Sequence, residues 1–197
     1  MKFFLVDTLG DSNDDSLVWI EDYVKGLEMD DWDTKTGVSV ADTWPGDASI
    51  YLRKRSRKAG PGRLTDLLST IKNNLFVSPL LRETIAKHCR GIRVEYLPFQ
   101  LFDHNKRLRS SDYVIVNPIG TFDCLDLKAS DILWDEDEPN EALDVHKPVL
   151  SKKKLKDAPP LFRIQENPAM YVINQPLAIE IYNIDYSNFF WDELKIR

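Results

Sequence analysis

The chain has 197 residues, 43% of them hydrophobic, so it is long enough to bury roughly 70% of its unfolded surface as one domain or two fused lobes without covalent staples. Its net charge of −6 argues against a general nucleic-acid binder and allows a basic partner. Cys89 and Cys124 are too few for a disulfide framework and lack the neighbouring Cys or His of a zinc site, so they read as small buried hydrophobes in a reducing, cytoplasmic compartment. No metal and no cofactor is expected.

The opening MKFFLV stops at Asp7 and is followed by acids, so it reads as a strand and not as a signal peptide. No stretch approaches ~18 apolar residues, and no membrane span is expected. After an acidic loop, GDSNDD, the spacing of Leu17, Ile20, Val24 and Leu27 predicts a helix over residues 16–27, capped by Asp15 or Ser16. Helix capping accounts for part of the local acidity, because negative charge suits a helix N-terminus. It does not account for MDDWD, residues 29–33, beyond the C-terminal end. From residue 7 to residue 33 there are ten acids against one lysine.

The next stretch, residues 37–63, predicts two short strands, a WPGD turn and a basic loop closed by Gly60, Pro61 and Gly62. In that loop, 53–58, Arg53, Lys54, Arg55, Arg57 and Lys58 would serve a nucleic-acid-binding regulatory module. Aromatic interleaving is missing and acidic runs lie on both sides, so the loop reads as solvated and paired with the protein's own acids. LTDLLSTI follows as an expected short helix with Leu64, Leu67, Leu68 and Ile71 inward. LFVSPLLRETIAKHC then switches from strand to helix at Ser78 and Pro79, a cap residue before a proline tolerated in the first turn, and Gly91 is placed to end that helix.

Residues 92–130 read as a meander: IRVEYLPFQLF, a polar turn, YVIVN, the turn PIGT and a third strand, FDCLDLKAS. Pro98 has no N–H and restricts its strand to an edge or a bulge. The acidic ILWDEDEPNEALDVH, with seven acids from residue 131 to residue 144, and the lysine-rich segment after it read as an exposed connection. LFRIQENPAMYVINQPLAIEIYNI restates the earlier strand-to-helix pattern, with helix and strand both open for residues 179–186. The fold class expected is α+β: a mixed or mainly antiparallel sheet with a central meander and a few short packing helices. An N-terminal lobe, 1–74, joins a region 75–197 in one compact unit.

LFVSPLLRETIAKH, VEYLPFQLFD, YVIVNPIGTFDCLDLKASD and LFRIQENPAMYVINQPLAIEI, in that order, resemble a bacterial immunity-protein family first catalogued as an uncharacterised domain in myxobacterial and proteobacterial genomes. Its members are encoded beside polymorphic toxins. The likeness covers roughly residues 75 to 190, and its motifs are structural: the V-S-x-x-L-R helix start, the Y-x-x-x-N strand followed by D-x-L-D, and the late L-F-R-I strand. The second V-S element departs from the pattern, reading VINQP, which puts that helix cap in question. The resemblance implies a non-enzymatic protein that binds a cognate toxin, nuclease domains being one class of such toxin, and blocks it in the producing cell.

No phosphate-cradling glycine loop, G-x-S-x-G or H-E-x-x-H occurs. A small enzyme would have to use the turn at Asp103 and His104, where adjacent side chains diverge and no nucleophile is indicated. The candidate toxin-binding residues are therefore the acids and aromatic anchors that capping leaves over: Asp14, Asp15, Asp30, Asp31, Trp32 and Asp33, and Trp134, Asp135, Glu136, Asp137 and Glu138. A tryptophan inside an acidic run combines an anchor with a steering charge, which suits a toxin with a basic binding surface and neither a nucleic acid nor a membrane.

Overall fold

The computed structural model describes residues 1–11, 13–20, 25, 33–56 and 60–197, the side chain of Asp33 excepted, and its architecture is α+β, with several small, mostly antiparallel sheets and three short helices. Two strand–helix–strand units of the same plan form its centre. In the first, β5 (Leu75–Val77), α2 (Pro79–His88) and β6 (Val94–Pro98) flank β9 (Val114–Pro118), which runs antiparallel to both strands. In the second, β14 (Tyr171–Asn174), α3 (Gln175–Ile184) and β15 (Phe190–Glu193) flank β1 (Phe3–Asp7) in the same way, and β13 (Leu161–Arg163) adds an outer strand beside β14.

Both helices start by the same local chemistry. Ser78 holds an extended backbone while its Oγ accepts the N–H of Leu81 at 3.3 Å, ahead of Pro79. Asn174 does the same with its Oδ1 and the N–H of Leu177 at 3.1 Å, ahead of Pro176. Asparagine replaces serine because either side-chain oxygen reaches an orphan N–H of the first turn. VINQP is thus a working cap, and residues 175–184 are helix, ended by Asp185 in the left-handed region at φ 61°.

The strands alternate between faces, and each sheet divides its residues accordingly. Leu75, Val77, Val114 and Val116 of the first unit meet Val6, Tyr171 and Ile173 of the second in one core, closed by Leu81 and Ile85 of α2 and Leu177 and Ile181 of α3. The opposite faces feed separate cores. Phe76, Leu97 and Ile115 pack beneath an N-terminal lobe with Ile50, Leu52 and Leu101, whereas Phe3, Phe162 and Val172 pack beneath Leu125, Val145, Leu150 and Ile164.

The N-terminal lobe departs from the helices expected of it. Leu17 bridges Arg63, and β2 (Trp19–Ile20) pairs in parallel with β4 (Ser69–Thr70), so Ser16 ends a turn and residues 17–20 are extended; residues 21–24, 26 and 27 of the expected helix lie outside the described residues. Residues 64–71 are extended as well. Leu67 belongs to the central core and its neighbour Leu68 to the N-terminal one, while Ile71 is 67% exposed. A helix would have put Leu64, Leu67, Leu68 and Ile71 on one face; a segment between two cores must send adjacent residues opposite ways. β3 (Ser49–Tyr51) lies parallel to β7 (Gln100–Phe102), which pairs with β8 (Leu108–Ser110).

The meander is present only in part. β6 and β9 pair as expected, and Pro98 lies on an edge strand, but the chain changes sheet at Phe99, so that β7 belongs to the N-terminal lobe. The third strand expected within residues 122–130 is absent: Phe122 makes a single bridge to Ile164 and Leu125 another to Leu150. Adjacent Cys124 and Leu125 are both fully buried, a segment covered from two sides and not one face of a sheet. Burial also pushes the Cys124 thiol up to about 12 and that of Cys89 up to about 11.

The acidic connection is a hairpin. β10 (Asp131–Trp134) pairs with β11 (Ala142–Lys147), setting Ile132 opposite Val145, and five of the seven acids fall between the two strands, at the tip. Beyond it, β12 (Val149–Leu150) runs parallel to β16 (Lys195–Ile196).

Two polar side chains join the units, Arg163 from within the core and the half-buried Asp66. Arg163 is fully buried and directs its N–H groups at the carbonyls of Pro118 (3.1 Å), Lys35 (2.9 Å), Pro168 (2.7 Å) and Thr34 (2.7 Å) and at Asn117 Oδ1 (3.0 Å), tying β9 and the short α1 (Asp33–Thr36) to β13. Beside it the backbones approach so closely that a Cβ on Gly37, at φ +77°, would stand 2.8 Å from the Gly120 carbonyl oxygen. Asp66 takes the hydroxyl of the α2 cap Ser78 at 2.7 Å and both the N–H (2.9 Å) and hydroxyl (2.6 Å) of Ser187, just past α3.

Candidate functional site

The hairpin supplies the clearest candidate surface. Ile132 and Val145 pack into the core beneath it, which turns Leu133 outward, 51% exposed, and a register shift between Leu133 and Trp134 turns Leu143 outward too, 58% exposed. At the tip Asp135 Oδ1 accepts the N–H groups of Asp137 (2.7 Å) and Glu138 (3.0 Å), so one carboxylate closes the turn while Glu136, Asp137 and Glu138 point to solvent. Trp134 is half-buried on the strand that leads there.

At the root of the hairpin a cleft of about 360 Å³ opens over the second sheet. Three strands give it Asp7, Asp144 and Asp192, and Leu5, Leu9 and Met170 supply apolar walls. Asp144 is held by the Asn167 amide at 3.0 Å. No lysine, arginine or histidine is among the described residues that line it. A cationic group with an aliphatic stem is the chemistry this cleft complements.

The candidate residues therefore separate. Trp134 and the acids 135–138 share the hairpin, next to the acidic cleft. Asp14 and Asp15 belong to another neighbourhood: Asp14 accepts the Ser16 N–H at 2.8 Å and pairs with Arg63 at 3.0 Å, and those hydrogen bonds, the Ser16 ones foremost, hold its carboxyl below the usual range. The carbonyl of Asp15 accepts from Arg55. Asp30, Asp31 and Trp32 lie outside the described residues, as does the side chain of Asp33. Asp7, Asp144 and Asp192 were missed because the tertiary fold alone brings three distant strands together. Leu133 could have been found by alternation, had the hairpin been recognised; Leu143 could not, because the register shift beside it sets it on the face opposite Val145, two residues on.

Basic side chains gather elsewhere. Lys54, Arg55, His104 and Arg107 line an open cleft of about 1090 Å³ on the N-terminal lobe. The basic loop was expected to pair with acids; the hydrogen bonds of Arg55 described here go to the backbone carbonyls of Leu17 and Asp15. Arg57 and Lys58 lie outside the described residues. In the neighbouring turn the Asp103 carboxylate accepts the N–H groups of Asn105 (2.8 Å) and Arg107 (2.9 Å), which keep its pKa below the ordinary value, the Arg107 bond foremost. His88 and Lys87 of α2 both reach Glu180 of α3 at 2.8 Å, a link between helices. Among the described residues no group of three or more His, Cys, Asp or Glu could hold a metal ion, and no helix is long and apolar enough to cross a membrane.

The sequence matches no protein-family model and no curated protein.

Proposed function

We propose that the chain is a cytoplasmic immunity protein that binds and neutralises a cognate antibacterial toxin domain, docking a basic toxin surface on the acidic hairpin. The observation that carries this reading is the hairpin itself: outward leucines and a solvent-facing acidic tip, set above an acidic cleft lined by no cation among the described residues. Exposed apolar groups ringed by one sign of charge are the anatomy of a transient protein interface. The resemblance of residues 75–190 to an immunity family points to the same class. A nuclease toxin fits best, because a surface that holds nucleic acid is cationic.

The test is a pull-down with the tagged chain from the organism that encodes it. One toxin recovered in stoichiometric amount supports the reading, and the variant with Glu136, Asp137 and Glu138 all changed to Lys should lose it. Recovery unaffected by that triple reversal would remove the hairpin from the interface.

The cleft at Lys54, Arg55 and Arg107 favours a second reading, a module that binds nucleic acid. Salt-sensitive binding to duplex DNA, weakened by Lys54→Glu and Arg107→Glu, would select it over the first.

A further inference from the structure

The two central sheets have four edges; among the described residues, neighbouring chain pairs along two of them and a proline interrupts a third. Outside β13, Phe122 pairs with the chain, its N–H reaching the Arg163 carbonyl at 2.8 Å. Outside β5, Leu68 donates to Phe76 and Ser78 to Asp66. β6 carries Pro98, whose carbonyl accepts the Trp44 indole N–H at 2.7 Å. β15 ends its sheet with no described strand beyond it and no proline.

Hydrogen-bond parity states which groups this edge offers. Leu194 donates to the Phe3 carbonyl at 2.9 Å, so Phe3 and Leu194 form a hydrogen-bonded pair. Alternation along the antiparallel register turns the backbone groups of Asp192 and Phe190 towards β1 and those of Trp191 and Glu193 outward. The other side of β1 agrees: Gln175 donates to the Lys2 carbonyl at 2.9 Å, which turns Phe4 and Val6 towards β14.

We propose that the free edge of β15 is a docking site at which an extended basic segment of a protein partner adds as a further strand. The inference rests on the reading of the chain as the binder of a basic partner, and it names the mode of recognition. Main-chain pairing at Trp191 and Glu193 gives the attachment, and the side chains give the selectivity. Along the strand they run Phe190, 46% exposed, half-buried Trp191, then the exposed acids Asp192 and Glu193, the latter paired with the Lys2 ammonium at 2.7 Å, so that a partner's cation there shares or displaces Lys2. Asp192 also lines the acidic cleft beside the hairpin, so the edge and the hairpin root form one acidic surface. A complementary strand carries two adjacent apolar residues followed by two adjacent basic ones. A second copy of this chain does not fit. Because outward-facing residues must oppose outward-facing ones, antiparallel pairing of two β15 edges sets Trp191 against Glu193 and Asp192 against Asp192, or, shifted towards the C-terminal end, Glu193 against Glu193.

The probes are two hexapeptides, Thr-Lys-Lys-Val-Ile-Thr and its reverse, titrated to millimolar concentration into the ¹⁵N-labelled full chain and followed by NMR. One of them should saturate the backbone amide shifts of Trp191 and Glu193 and give intermolecular contacts to that strand. Glu193→Pro removes an outward N–H, leaves the bonds to β1 in place, and should weaken binding at least tenfold with thermal unfolding unchanged. Glu193→Gln, which keeps the N–H, should weaken it less than the proline; Asp192→Lys, with its native amide spectrum as the check on folding, should weaken it at least tenfold. Amides 191 and 193 untouched by both peptides, or binding within twofold of wild type for the folded Glu193→Pro variant, would overturn the proposal. A toxin captured in the pull-down with no peptide at this edge would leave the immunity reading standing without strand addition. Peptide binding here with no toxin recovered would do the reverse.

Discussion

In the first unit β9 runs between β5 and β6, and its outer face is covered by the N-terminal lobe, whose open cleft is lined by Lys54, Arg55 and Arg107. In the second unit β1 runs between β14 and β15, and its outer face lies beneath residues 122–164, from which the acidic hairpin rises. The inner halves match down to the capped helix start, while the covers differ in topology and in sign of charge. Packing constrains the shared core from all sides, so that surface charge can diverge only on the outer layers.

The largest expected effect tests whether the units depend on each other. Arg163→Ala would remove five hydrogen bonds to acceptors on three segments, and it should cost about 4 kcal/mol or more, read as a lower urea midpoint at unchanged slope. A loss below about 1 kcal/mol would mean that water replaces the guanidinium and that the units stand independently.

Core truncation sharpens the likeness. Leu81→Ala in α2 and Leu177→Ala in α3 remove fully buried side chains from the same core and should each cost ~2–5 kcal/mol. Values differing by more than that whole range in calorimetry would show the two helices to be unequal members. At the caps the units should separate by a smaller margin. Asn174→Ala should cost ~1 kcal/mol, and Ser78→Ala more, because its hydroxyl also bonds Asp66.

Acid should act on the link between units before it acts on the helices. Burial pushes the Asp66 carboxyl up, but the Ser187 and Ser78 hydroxyls and the Ser187 N–H outweigh it and hold the carboxyl below the usual range. With the folded value depressed, its contribution is complete at neutral pH, begins to fade as pH falls past the ordinary aspartate value near ~4, and is lost below the folded value. Asp66→Asn should flatten that acid limb in unfolding midpoints measured from pH 7 to pH 3. A limb of unchanged steepness would assign the acid sensitivity to other carboxylates.

The smallest effect on stability belongs to the hairpin tip. Reversing Glu136, Asp137 and Glu138 to Lys should change unfolding by only about 0.5 kcal/mol, since all three are exposed, while slowing association with a basic partner ~10-fold or more at low salt. A large loss of stability would make the tip part of the fold.

Residues 75–90 and 171–178 carry their structure in the chain itself: a β-branched run, a side chain able to cap, a proline in the first turn and an apolar helical stripe are short-range signals, and they needed no partner to be read. The same kind of periodicity misled for residues 16–20 and 64–71, because apolar spacing reports how many residues are buried and not towards which core; Leu67 and Leu68 face different ones. Alternation at Ile132 and Val145 was present in the acidic stretch but masked by its charge. The sequence by itself determined the α+β class, the capped helix that starts at Ser78, the restriction of Pro98 to an edge or a bulge and the acidity of residues 131–144, all of which follow from neighbours within a few residues, whereas residues 179–186 stayed open to helix and strand alike. Only the tertiary structure decided that β1 lies between β14 and β15, that Arg163 lies buried between the units, and that Asp7, Asp144 and Asp192 line one cleft. Those facts depend on contacts between residues distant in the chain, 45 positions apart for Arg163 and Pro118 and 128 for Arg163 and Lys35, whose pairing is chosen by the burial of the whole chain and leaves no mark on any short segment of it.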